Sequence, residues 1–489
     1  MRSSIGPNKV SVPSLLWQGN EQVAAASGAT FSVVDPATEQ VIAEVADAGS
    51  ADWMRALGSA DVVQREWAAF PPRVRSEILY EIFHEVMRRN EDFATVMTCE
   101  MGKPFAEALG EVSYGAEYFR WFAEEAVRIP GRMGGAPGGR GTILVSRIPV
   151  GPVLAITPWN FPLAMATRKI APAFAAGCPV IVKPAAETPL TMLLLGEVIA
   201  DVFKKFKVPD GVLNIISTTR SAEMSAELMA DPRLRKVTFT GSTGVGKILV
   251  KQSADQLQRT SMELGGNAPF VVASDADLDL VLKCAVQAKM RNGGEACIAA
   301  NRFFVHESIG AEFTSRLTDL LAAFTLGHGL EPGTTLGPMI TAEQRDRIAS
   351  LVDAALSSGA VATTGATIPD RSGYFYSPTV LVDIPRDAEI LREEIFGPVA
   401  TISTFSDLED AVDQANDTEF GLAAYGFTEN VHTAQFLAER LEAGMVGINR
   451  GAISDPAAPF GGIKQSGFGR EGGIEGIEEY LSPRYIAWT

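Results

Sequence analysis

The chain has 489 residues, more than one hydrophobic core usually organises, so we expect two or more domains. Hydrophobic residues make up 46% of the sequence and charged residues 21%, as in ordinary globular enzymes. The net charge of −17 argues against nucleic acid or an anionic membrane as the main partner, because both are bound by basic surfaces.

The four cysteines and four histidines are scattered along the chain. No two cysteines have metal-ligand spacing, and four are few for a disulfide framework, so we expect no metal site. This cysteine usage fits a reducing cytoplasm. No apolar run reaches the ~18 residues that a membrane span needs. The N-terminal stretch lacks an apolar core, so no secretory signal is expected.

The first third of the chain changes pattern twice. Residues 1–50 are predicted to be irregular or short-stranded. Residues 51–130 are predicted to be helical, because apolar residues such as Ile78, Ile82 and Val86 recur at helical spacing. Residues 131–147 are rich in glycine and end in an apolar run, which predicts a strand on an arm outside the main core.

From residue 150 onward, β-branched runs alternate with helical segments. Strands are predicted at 153–156, 180–182, 212–216 and 237–240, with helices around 164–177, 190–206, 220–230 and 243–254. A second alternating region extends from 269 to about 440, and the glycine-rich stretch 455–489 ends in an extended segment. The alternation predicts an α/β fold with parallel sheets, whose ligands bind beyond the carboxyl ends of the strands.

The loop from Met290 to Arg302 carries the candidate nucleophile, Cys297. Gly293 and Gly294 precede it, and glycine lets the backbone approach a ligand closely. A thiolate is a strong nucleophile near neutral pH. The alternative is a buried structural cysteine.

Asn160 and Glu263 are candidates for the polar groups of a catalytic site. Asn160 lies between Pro158 and Pro162, which stiffen the turn and let its amide donate to an oxyanion. Glu263 precedes two glycines and is able to activate water as a general base. The alternatives are a rigid packed turn for Asn160 and an ordinary solvated glutamate for Glu263.

The segment 241–247 follows a predicted strand and opens a helix. It lacks the Ser or Thr that a nucleoside-triphosphate loop needs after Lys247, and it does not match Gly-x-Gly-x-x-Gly. A helix N-terminus still binds a pyrophosphate through its free N–H groups. The segment is therefore either part of a cofactor site or a plain turn.

Seven motifs stand in order along the chain: Asn160, Lys183, Gly241–Gly246, Glu263–Gly266, Cys297, Glu394–Phe396 and Pro459–Gly462. Together they resemble the aldehyde dehydrogenase superfamily over about residues 15–489. The resemblance implies an α/β fold with two parallel-sheet domains and a β oligomerisation arm. Residues 1–130 with 148–262 would form the dinucleotide-binding domain, 263–470 the catalytic domain, and 131–147 with 471–489 the arm.

The resemblance also implies the chemistry. Cys297 would attack the aldehyde carbon to form a thiohemiacetal, whose oxyanion is stabilised by the Asn160 side chain and the Cys297 backbone N–H. Hydride would then leave for the nicotinamide, since no side chain accepts hydride. Glu263 would activate the water that hydrolyses the resulting thioester.

The cofactor contacts follow from the same resemblance. Lys183 would bond the adenosine ribose, Ser242 would lie near the pyrophosphate, Glu394 would hold the nicotinamide ribose and Phe396 would pack beside it. The other expected cofactor residues are Ile156, Thr157, Pro158, Trp159, Ala186, Glu187, Gly241, Val245 and Leu264.

Ala186 stands where NAD-preferring relatives often carry Glu, which would repel a 2′-phosphate. Its presence admits NADP, although Ala186 offers no bond to that phosphate and Glu187 opposes it. We expect NADP to be preferred and NAD tolerated.

Within the superfamily, the sequence is most similar to the succinate-semialdehyde dehydrogenases. Arg168, Arg291 and Ser454 match the residues that hold the distal carboxylate of the substrate in those enzymes, and Phe460 matches an aromatic wall of the substrate tunnel. Two guanidinium groups and a hydroxyl suit a carboxylate. The alternatives are a helix-surface position for Arg168 and a structural ion pair for Arg291.

Two positions depart from the pattern. Position 295 is Glu where many relatives carry Gln, and a carboxylate so close to Cys297 is expected to raise the pKa of the thiol. Position 299 is Ala where some relatives carry a second cysteine, so a disulfide switch is not expected there.

The expected function is NAD(P)-dependent oxidation of succinate semialdehyde to succinate. The alternatives are oxidation of glutarate semialdehyde or an aliphatic aldehyde, acyl transfer to coenzyme A, or a non-catalytic binding role on the same fold. Glu263 argues against acyl transfer, because acyl-transferring relatives usually lack the general base. We expect a cytoplasmic homodimer or homotetramer.

Overall fold

The structure is a computed structural model that describes residues 2–488. Its strands, in chain order, are β1 (Arg2–Ile5), β2 (Val10–Pro13), β3 (Leu16–Gln18), β4 (Glu21–Val23), β5 (Thr30–Asp35), β6 (Gln40–Ala46), β7 (Arg132–Gly135), β8 (Thr142–Pro149), β9 (Val153–Ile156), β10 (Val180–Lys183), β11 (Leu213–Ile215), β12 (Lys236–Thr240), β13 (Arg259–Glu263), β14 (Ala268–Val272), β15 (Ala300–His306), β16 (Val361–Thr364), β17 (Thr379–Val382), β18 (Val399–Phe405), β19 (Ala423–Phe427), β20 (Met445–Ile448), β21 (Gly467–Phe468) and β22 (Leu481–Trp488).

The helices are α1 (Ser50–Ala69), α2 (Pro72–Arg88), α3 (Asn90–Met101), α4 (Phe105–Ala126), α5 (Ala164–Ala176), α6 (Pro189–Phe206), α7 (Ser221–Ala230), α8 (Thr243–Ser253), α9 (Leu278–Met290), α10 (Glu307–Ala322), α11 (Ala342–Ser357), α12 (Leu408–Asn416), α13 (Val431–Arg440) and α14 (Glu475–Glu478). Within residues 2–488, no helix has the length and apolar character that crossing a membrane requires.

Three sheets organise the molecule. The first has the order β21-β13-β12-β9-β10-β11-β3-β4, in which β13, β12, β9, β10 and β11 are parallel and the outer strands antiparallel. The second has the order β16-β17-β18-β15-β14-β19-β20, and only its β16–β17 pair is antiparallel. The apolar parallel strands are buried on both faces, as such strands are when helices cover a sheet.

The third sheet is the antiparallel set β22-β8-β7. Strand β22 pairs with β8 along its full length, from Leu481 opposite Pro149 to Trp488 opposite Thr142. The glycine-rich segment after α4 therefore forms a hairpin that the C-terminal strand extends. Two further hairpins, β1–β2 and β5–β6, account for much of the N-terminal region.

The structure confirms the predicted α/β class, with two large, mostly parallel sheets and a separate three-stranded antiparallel sheet. The alternating strands and helices after residue 150 lie within a few residues of their predicted positions. The segment predicted as helical contains α1 to α4. The first fifty residues contain six short strands, so the prediction of short-stranded structure holds there.

The chain crosses from the first sheet to the second immediately after β13. Glu263 ends β13, and β14 begins five residues later in the neighbouring sheet. The link passes against the cysteine loop so closely that a Cβ on Gly266 would lie 2.3 Å from the carbonyl oxygen of Cys297. Glycine is required at this position because any side chain would separate the two segments.

Helix α4 packs on α5, the helix that follows the Asn160 turn. The contact depends on Gly115, where a Cβ would lie 3.2 Å from the Cα of Ala164. Gly110, one and a half turns earlier on the same helix, is exposed and has open space around it. The two glycines therefore differ in packing while sharing helical backbone.

Replacing these glycines tests whether the α4–α5 contact supports the fold. We expect Gly115→Val to destabilise the protein by about 1–3 kcal/mol, because the added methyl groups overpack a buried helix contact. The matched variant Gly110→Val should leave the thermal melting midpoint nearly unchanged, since valine and glycine differ little in an exposed helix. Equal melting midpoints for the two variants would contradict a close-packed contact at Gly115.

Candidate active site

A cavity of about 320 Å³ lies where the two large sheets meet. Nine of the predicted site residues line it, namely Pro158, Trp159, Asn160, Gly241, Ser242, Leu264, Cys297, Glu394 and Phe396. The cavity is bounded by loops that follow β9, β12 and β13, at the carboxyl ends of parallel strands.

The other predicted cofactor residues flank this cavity. Ile156 and Thr157 are buried at the end of β9, and Lys183 is buried at the end of β10. Ala186 is half-buried and Glu187 exposed in the loop that follows. Val245 lies in the first turn of α8 and is exposed, consistent with a position on the rim.

Cys297 is held by a tightly folded loop. Asn292, Gly293 and Gly294 are successive residues with left-handed backbone, at φ 55°, 64° and 79°. A Cβ on Gly294 would lie 2.2 Å from the carbonyl oxygen of Gly397. The glycines therefore let the cysteine loop pass against the loop that carries Glu394 and Phe396.

The thiol of Cys297 lies in a poorly hydrated position. Burial raises its pKa to about 12, and the carboxyls of Glu394 and Glu263 act in the same direction, while Arg168 opposes them. The pKa of Cys297 is raised as expected, but the carboxyls that raise it are those of Glu394 and Glu263, and the expected contribution of Glu295 is not among the causes. The Glu295 carboxyl is itself buried, and its Oε1 accepts a hydrogen bond from the N–H of Ile340 at 3.3 Å.

Asn160 is oriented by the cysteine loop. Its Nδ2 donates to the carbonyl oxygen of Glu295 at 2.9 Å, and its side chain is buried. Its Oδ1 has no hydrogen-bond partner within residues 2–488. The amide is thus held beside Cys297 with one N–H bond occupied and the other available.

Glu263 is buried rather than solvated, so the alternative of an ordinary surface glutamate is wrong. Neither carboxyl oxygen has a hydrogen-bond partner in the described part of the chain. Burial raises the pKa of this carboxyl well above its usual value, and the negative charge of Glu471 adds to the effect. A buried, unpaired carboxyl with a raised pKa suits proton transfer near neutral pH.

Arg168 is fully buried in α5, so the helix-surface alternative is wrong. Its Nε faces Glu471, which also pairs with Lys169. Its guanidinium carbon lies 4.2 Å from the ring centre of Phe460. The terminal nitrogens have no hydrogen-bond partner between residues 2 and 488, so they are available to an anionic ligand.

Arg291 is also available to a ligand. Its guanidinium carbon lies 5.0 Å from the ring centre of Phe161 and 5.6 Å from that of Tyr114. No ion pair involves Arg291 in the region that the structure describes, so the structural ion-pair alternative is wrong. It lines a second cavity of about 430 Å³, which includes Phe161 and Asn292.

Ser454 completes this cluster. Its Oγ lies 2.9 Å from the Tyr114 hydroxyl, which lies 2.6 Å from the Tyr118 hydroxyl. Tyr114 therefore touches both Ser454 and the Arg291 guanidinium. Of the predicted substrate residues, Arg291 and Ser454 therefore meet at Tyr114, and Arg168 packs on Phe460. Tyr114 and Tyr118 also raise the pKa of Arg168, which places the two pairs within electrostatic range of each other.

The cavity wall carries groups of the kinds that bind parts of a dinucleotide. Its wall includes the N-terminus of α8, where Ser242 Oγ accepts the N–H of Val245 at 3.4 Å. Glu394 Oε1 accepts the N–H of Gly266 at 3.0 Å, and burial raises the pKa of Glu394 to about 7. A helix N-terminus and a positioned carboxylate are groups that bind a pyrophosphate and a ribose, respectively.

Two aromatic rings stand beside Glu394. The ring centres of Trp159 and Phe396 lie 5.3 Å apart at an interplanar angle of 89°. Phe396 has φ 55°, an unusual conformation for a bulky residue that turns its ring toward the cavity side of the loop. This loop is held from behind by α11.

Four residues that line the cavity were not predicted from the sequence, namely Met165, Thr240, Gln344 and Arg347, and Gly265 was named only as part of the Glu263–Gly266 motif. Gln344 Nε2 donates to the carbonyl oxygen of Phe396 at 2.9 Å, and Arg347 donates to that of Glu394 at 2.8 Å. Both lie on α11 among polar residues of an ordinary surface helix, so no sequence signal marks them. Tyr114 was also missed, although its spacing from Tyr118 places two hydroxyls on one helix face.

Within residues 2–488, no cluster of three or more His, Cys, Asp and Glu side chains is arranged to hold a metal ion. The protein groups at the site described above are a thiol, two carboxyls, an amide and two guanidinium groups.

Comparison with known proteins agrees with this geometry. The chain is 54% identical over 446 residues to a succinate-semialdehyde dehydrogenase of Paenarthrobacter nicotinovorans, covering 91% of this chain and 98% of that protein. It is 42% identical to the NADP(+) succinate-semialdehyde dehydrogenase of Escherichia coli strain K12, covering 95% of this chain and 96% of the relative.

A solved structure of succinate-semialdehyde dehydrogenase from Burkholderia pseudomallei superposes with a TM-score of 0.94. It is 42% identical and covers 97% of this chain and 98% of its own. Residues 23–486 match the family described as the aldehyde dehydrogenase family. The chain therefore belongs to the aldehyde dehydrogenase family.

Proposed function

We propose that this NAD(P)-dependent aldehyde dehydrogenase oxidises succinate semialdehyde to succinate. The observation that carries the proposal is that Tyr114 contacts both the Ser454 hydroxyl and the Arg291 guanidinium. The Arg168 guanidinium, whose terminal nitrogens lack partners within residues 2–488, lies near enough for Tyr114 and Tyr118 to raise its pKa. Arginine pairs with carboxylate through charge-assisted hydrogen bonds. The names of the relatives support the same substrate.

The first chemical step belongs to Cys297 and Asn160. The thiolate of Cys297 attacks the aldehyde carbon, and a C–S bond forms as the carbonyl oxygen takes up negative charge. The free N–H of the Asn160 amide donates to that oxyanion, together with the backbone N–H of Cys297.

The dinucleotide would lie along the cavity wall formed by Trp159, Ser242, Glu394 and Phe396. Once bound, it would supply the hydride acceptor that is needed for the thiohemiacetal on Cys297 to become a thioester. Lys183 is buried at the end of β10, where its ammonium group would be free to bond a ribose hydroxyl.

Glu263 completes the reaction. Its carboxylate takes a proton from water while the water oxygen bonds to the acyl carbon and the C–S bond breaks. The products are succinate and the thiolate of Cys297, which is ready for the next cycle, and the proton taken up by Glu263 is released to solvent. The unpaired state of the carboxyl leaves it free to contact that water.

We infer that NADP is the preferred cofactor and that NAD is tolerated. The small side chain of Ala186 leaves room beside the ribose 2′-position, and the Escherichia coli relative is described with NADP(+). The exposed carboxylate of Glu187 raises the pKa of nearby Lys183, against the larger lowering effect of burial. This carboxylate therefore lies near enough to weaken, without preventing, attraction of a 2′-phosphate.

We further infer a cytoplasmic homodimer or homotetramer. The cysteines at 99, 178, 284 and 297 are free thiols, which fits a reducing compartment. The small sheet β22-β8-β7 exposes the apolar side chains of Met133, Tyr485 and Trp488. We propose that this sheet is the oligomerisation arm, and that the larger sheets mark the dinucleotide-binding and catalytic domains.

Arg291→Gln tests recognition of the distal carboxylate. We expect the KM for succinate semialdehyde to rise roughly 10- to 100-fold, because a charge-assisted hydrogen bond contributes about 1.5–3 kcal/mol. The KM for hexanal should stay nearly unchanged, since hexanal has no carboxylate. Steady-state kinetics with both aldehydes at saturating cofactor make the comparison.

Arg291 suits this test because its replacement leaves no carboxyl partner unpaired. Arg88→Gln is the matched control, since Arg88 is exposed on α2 and bonds only Glu85. A rise in KM for both aldehydes, or for neither, would contradict carboxylate recognition by Arg291.

Glu263→Gln tests the general base. We expect the steady-state rate to fall roughly 10²- to 10⁴-fold, because amide cannot accept the proton from water. A rapid first turnover of cofactor reduction should persist, since acylation of Cys297 does not need Glu263. Stopped-flow absorbance of the reduced nicotinamide measures both phases.

The pH dependence provides a second readout for Glu263. Only the ionised carboxylate acts as a base, so the wild-type rate should fall with decreasing pH around a midpoint above the ordinary value of 4.5. The variant should lack this acid limb. Loss of the first turnover in Glu263→Gln, or an unchanged acid limb, would remove Glu263 from the role.

A further inference from the structure

Asn292 lies where the two loops of the active site meet. Its Nδ2 donates to the main-chain carbonyl of Asn160 at 3.0 Å and to that of Glu295 at 3.0 Å. The Glu295 carbonyl also accepts Asn160 Nδ2 at 2.9 Å. These three bonds link the Asn160 turn to the cysteine loop through a closed, fully buried set of groups.

The set determines which way the Asn160 amide faces. A main-chain carbonyl is only an acceptor, so the NH2 side of the amide must face Glu295. The reverse orientation would place two acceptor oxygens against each other. One N–H of Asn160 is therefore occupied by Glu295, and the second stays free for the oxyanion.

The backbone of Asn292 adopts the conformation that this role requires. Its φ of 55° and ψ of 37° are left-handed, which asparagine and glycine tolerate better than other residues. Its own N–H donates to Glu107 Oε2 at 2.6 Å, which anchors the cysteine loop to α4. The side chain is thus presented to Asn160 from a constrained main chain.

The Asn160 turn is held from the same helix region. Lys103 Nζ donates to the Asn160 carbonyl at 2.8 Å and pairs with Glu111. Glu111 Oε1 in turn accepts the N–H groups of Leu163 at 2.9 Å and Ala164 at 3.1 Å, at the start of α5. The cysteine loop and the Asn160 turn are therefore both hydrogen-bonded to carboxylates of α4, and the Asn292 side chain bonds the two segments to each other.

We propose that Asn292 is a positioning residue that acts through Asn160. It sets the orientation of the amide and its separation from Cys297, and it touches neither substrate nor cofactor in this role. The inference rests on the proposed function, in which Asn160 stabilises the oxyanion. Small displacements of a catalytic group lower reaction rates strongly, so losing the Asn292 hydrogen bonds should lower kcat measurably.

A double-mutant cycle separates positioning from a general structural role. The variants are Asn160→Ala, Asn292→Gly and the pair together, assayed for kcat with succinate semialdehyde and saturating NADP. Glycine is chosen at 292 because it tolerates the left-handed backbone, so the loss is confined to the side-chain donor. Asn20→Gly is the matched control, since Asn20 also has left-handed backbone, at φ 60°.

We expect Asn160→Ala to lower kcat roughly 10²- to 10³-fold, as removal of an oxyanion donor does. Asn292→Gly should lower kcat roughly 10- to 100-fold with little change in the aldehyde KM. The pair should be no slower than Asn160→Ala alone, because groups that act as a unit are non-additive. Asn20→Gly should keep the wild-type kcat.

Asn292→Asp keeps the test decisive if the glycine variant folds poorly. Aspartate preserves size and tolerates the same backbone but replaces the donor with an acceptor, so it should lose kcat as Asn292→Gly does. Melting midpoints and gel filtration establish that each variant is folded. If the Asn292 side chain only stabilised the fold, both substitutions would lower the melting midpoint and leave the kcat of the folded protein unchanged.

Two outcomes overturn the inference in distinguishable ways. If Asn160→Ala is strongly impaired and Asn292→Gly lowers kcat by the same further factor in its background, Asn292 does not act through Asn160. If Asn160→Ala retains wild-type kcat, the oxyanion role in the proposed function fails, and the role of Asn292 fails with it.

Discussion

Burial of ionisable groups between the two large sheets is the constraint on which the chemistry of this molecule depends. Cys297, Glu263 and Glu394 each have a raised pKa, and burial is the largest cause for all three. Desolvation disfavours the charged form of an acid, so each of these groups ionises more easily when a nearby cation stabilises its negative charge. Arg168, paired with Glu471 and aimed past Phe460, supplies positive charge in the same crevice.

This crevice is narrow because glycines let three loops approach one another. Gly266 brings the link between the sheets against Cys297, and Gly294 brings the cysteine loop against Gly397. The loop of Glu394 and Phe396 is then held by Gln344 and Arg347 on α11. The catalytic loops are therefore held by close contacts between segments that are distant in the sequence, some through main-chain atoms and some through side chains. A rigid frame of this kind suits transition-state stabilisation by preoriented donors.

Much of this arrangement was predictable from the sequence. The alternation of strands and helices indicated the parallel sheets. Ordered motifs indicated Cys297 and Asn160, which line one cavity with most of the predicted cofactor residues, and Glu263, which is buried near enough to affect the pKa of Cys297. The direction of the Glu295 side chain was not predictable, because it depends on the N–H of Ile340 from a distant segment. Gln344 and Asn292 lack local signals for the same reason, since their partners are supplied by tertiary contacts.

We propose that the enzyme oxidises, in this crevice, a short aldehyde that carries a distal carboxylate. The most direct test is cofactor reduction with succinate semialdehyde, glutarate semialdehyde and hexanal, each with NADP and NAD, using Cys297→Ala as the blank. We expect the highest kcat/KM for succinate semialdehyde with NADP, and no turnover by the Cys297→Ala variant. Equal or better turnover of hexanal would contradict carboxylate recognition while leaving the aldehyde dehydrogenase assignment intact.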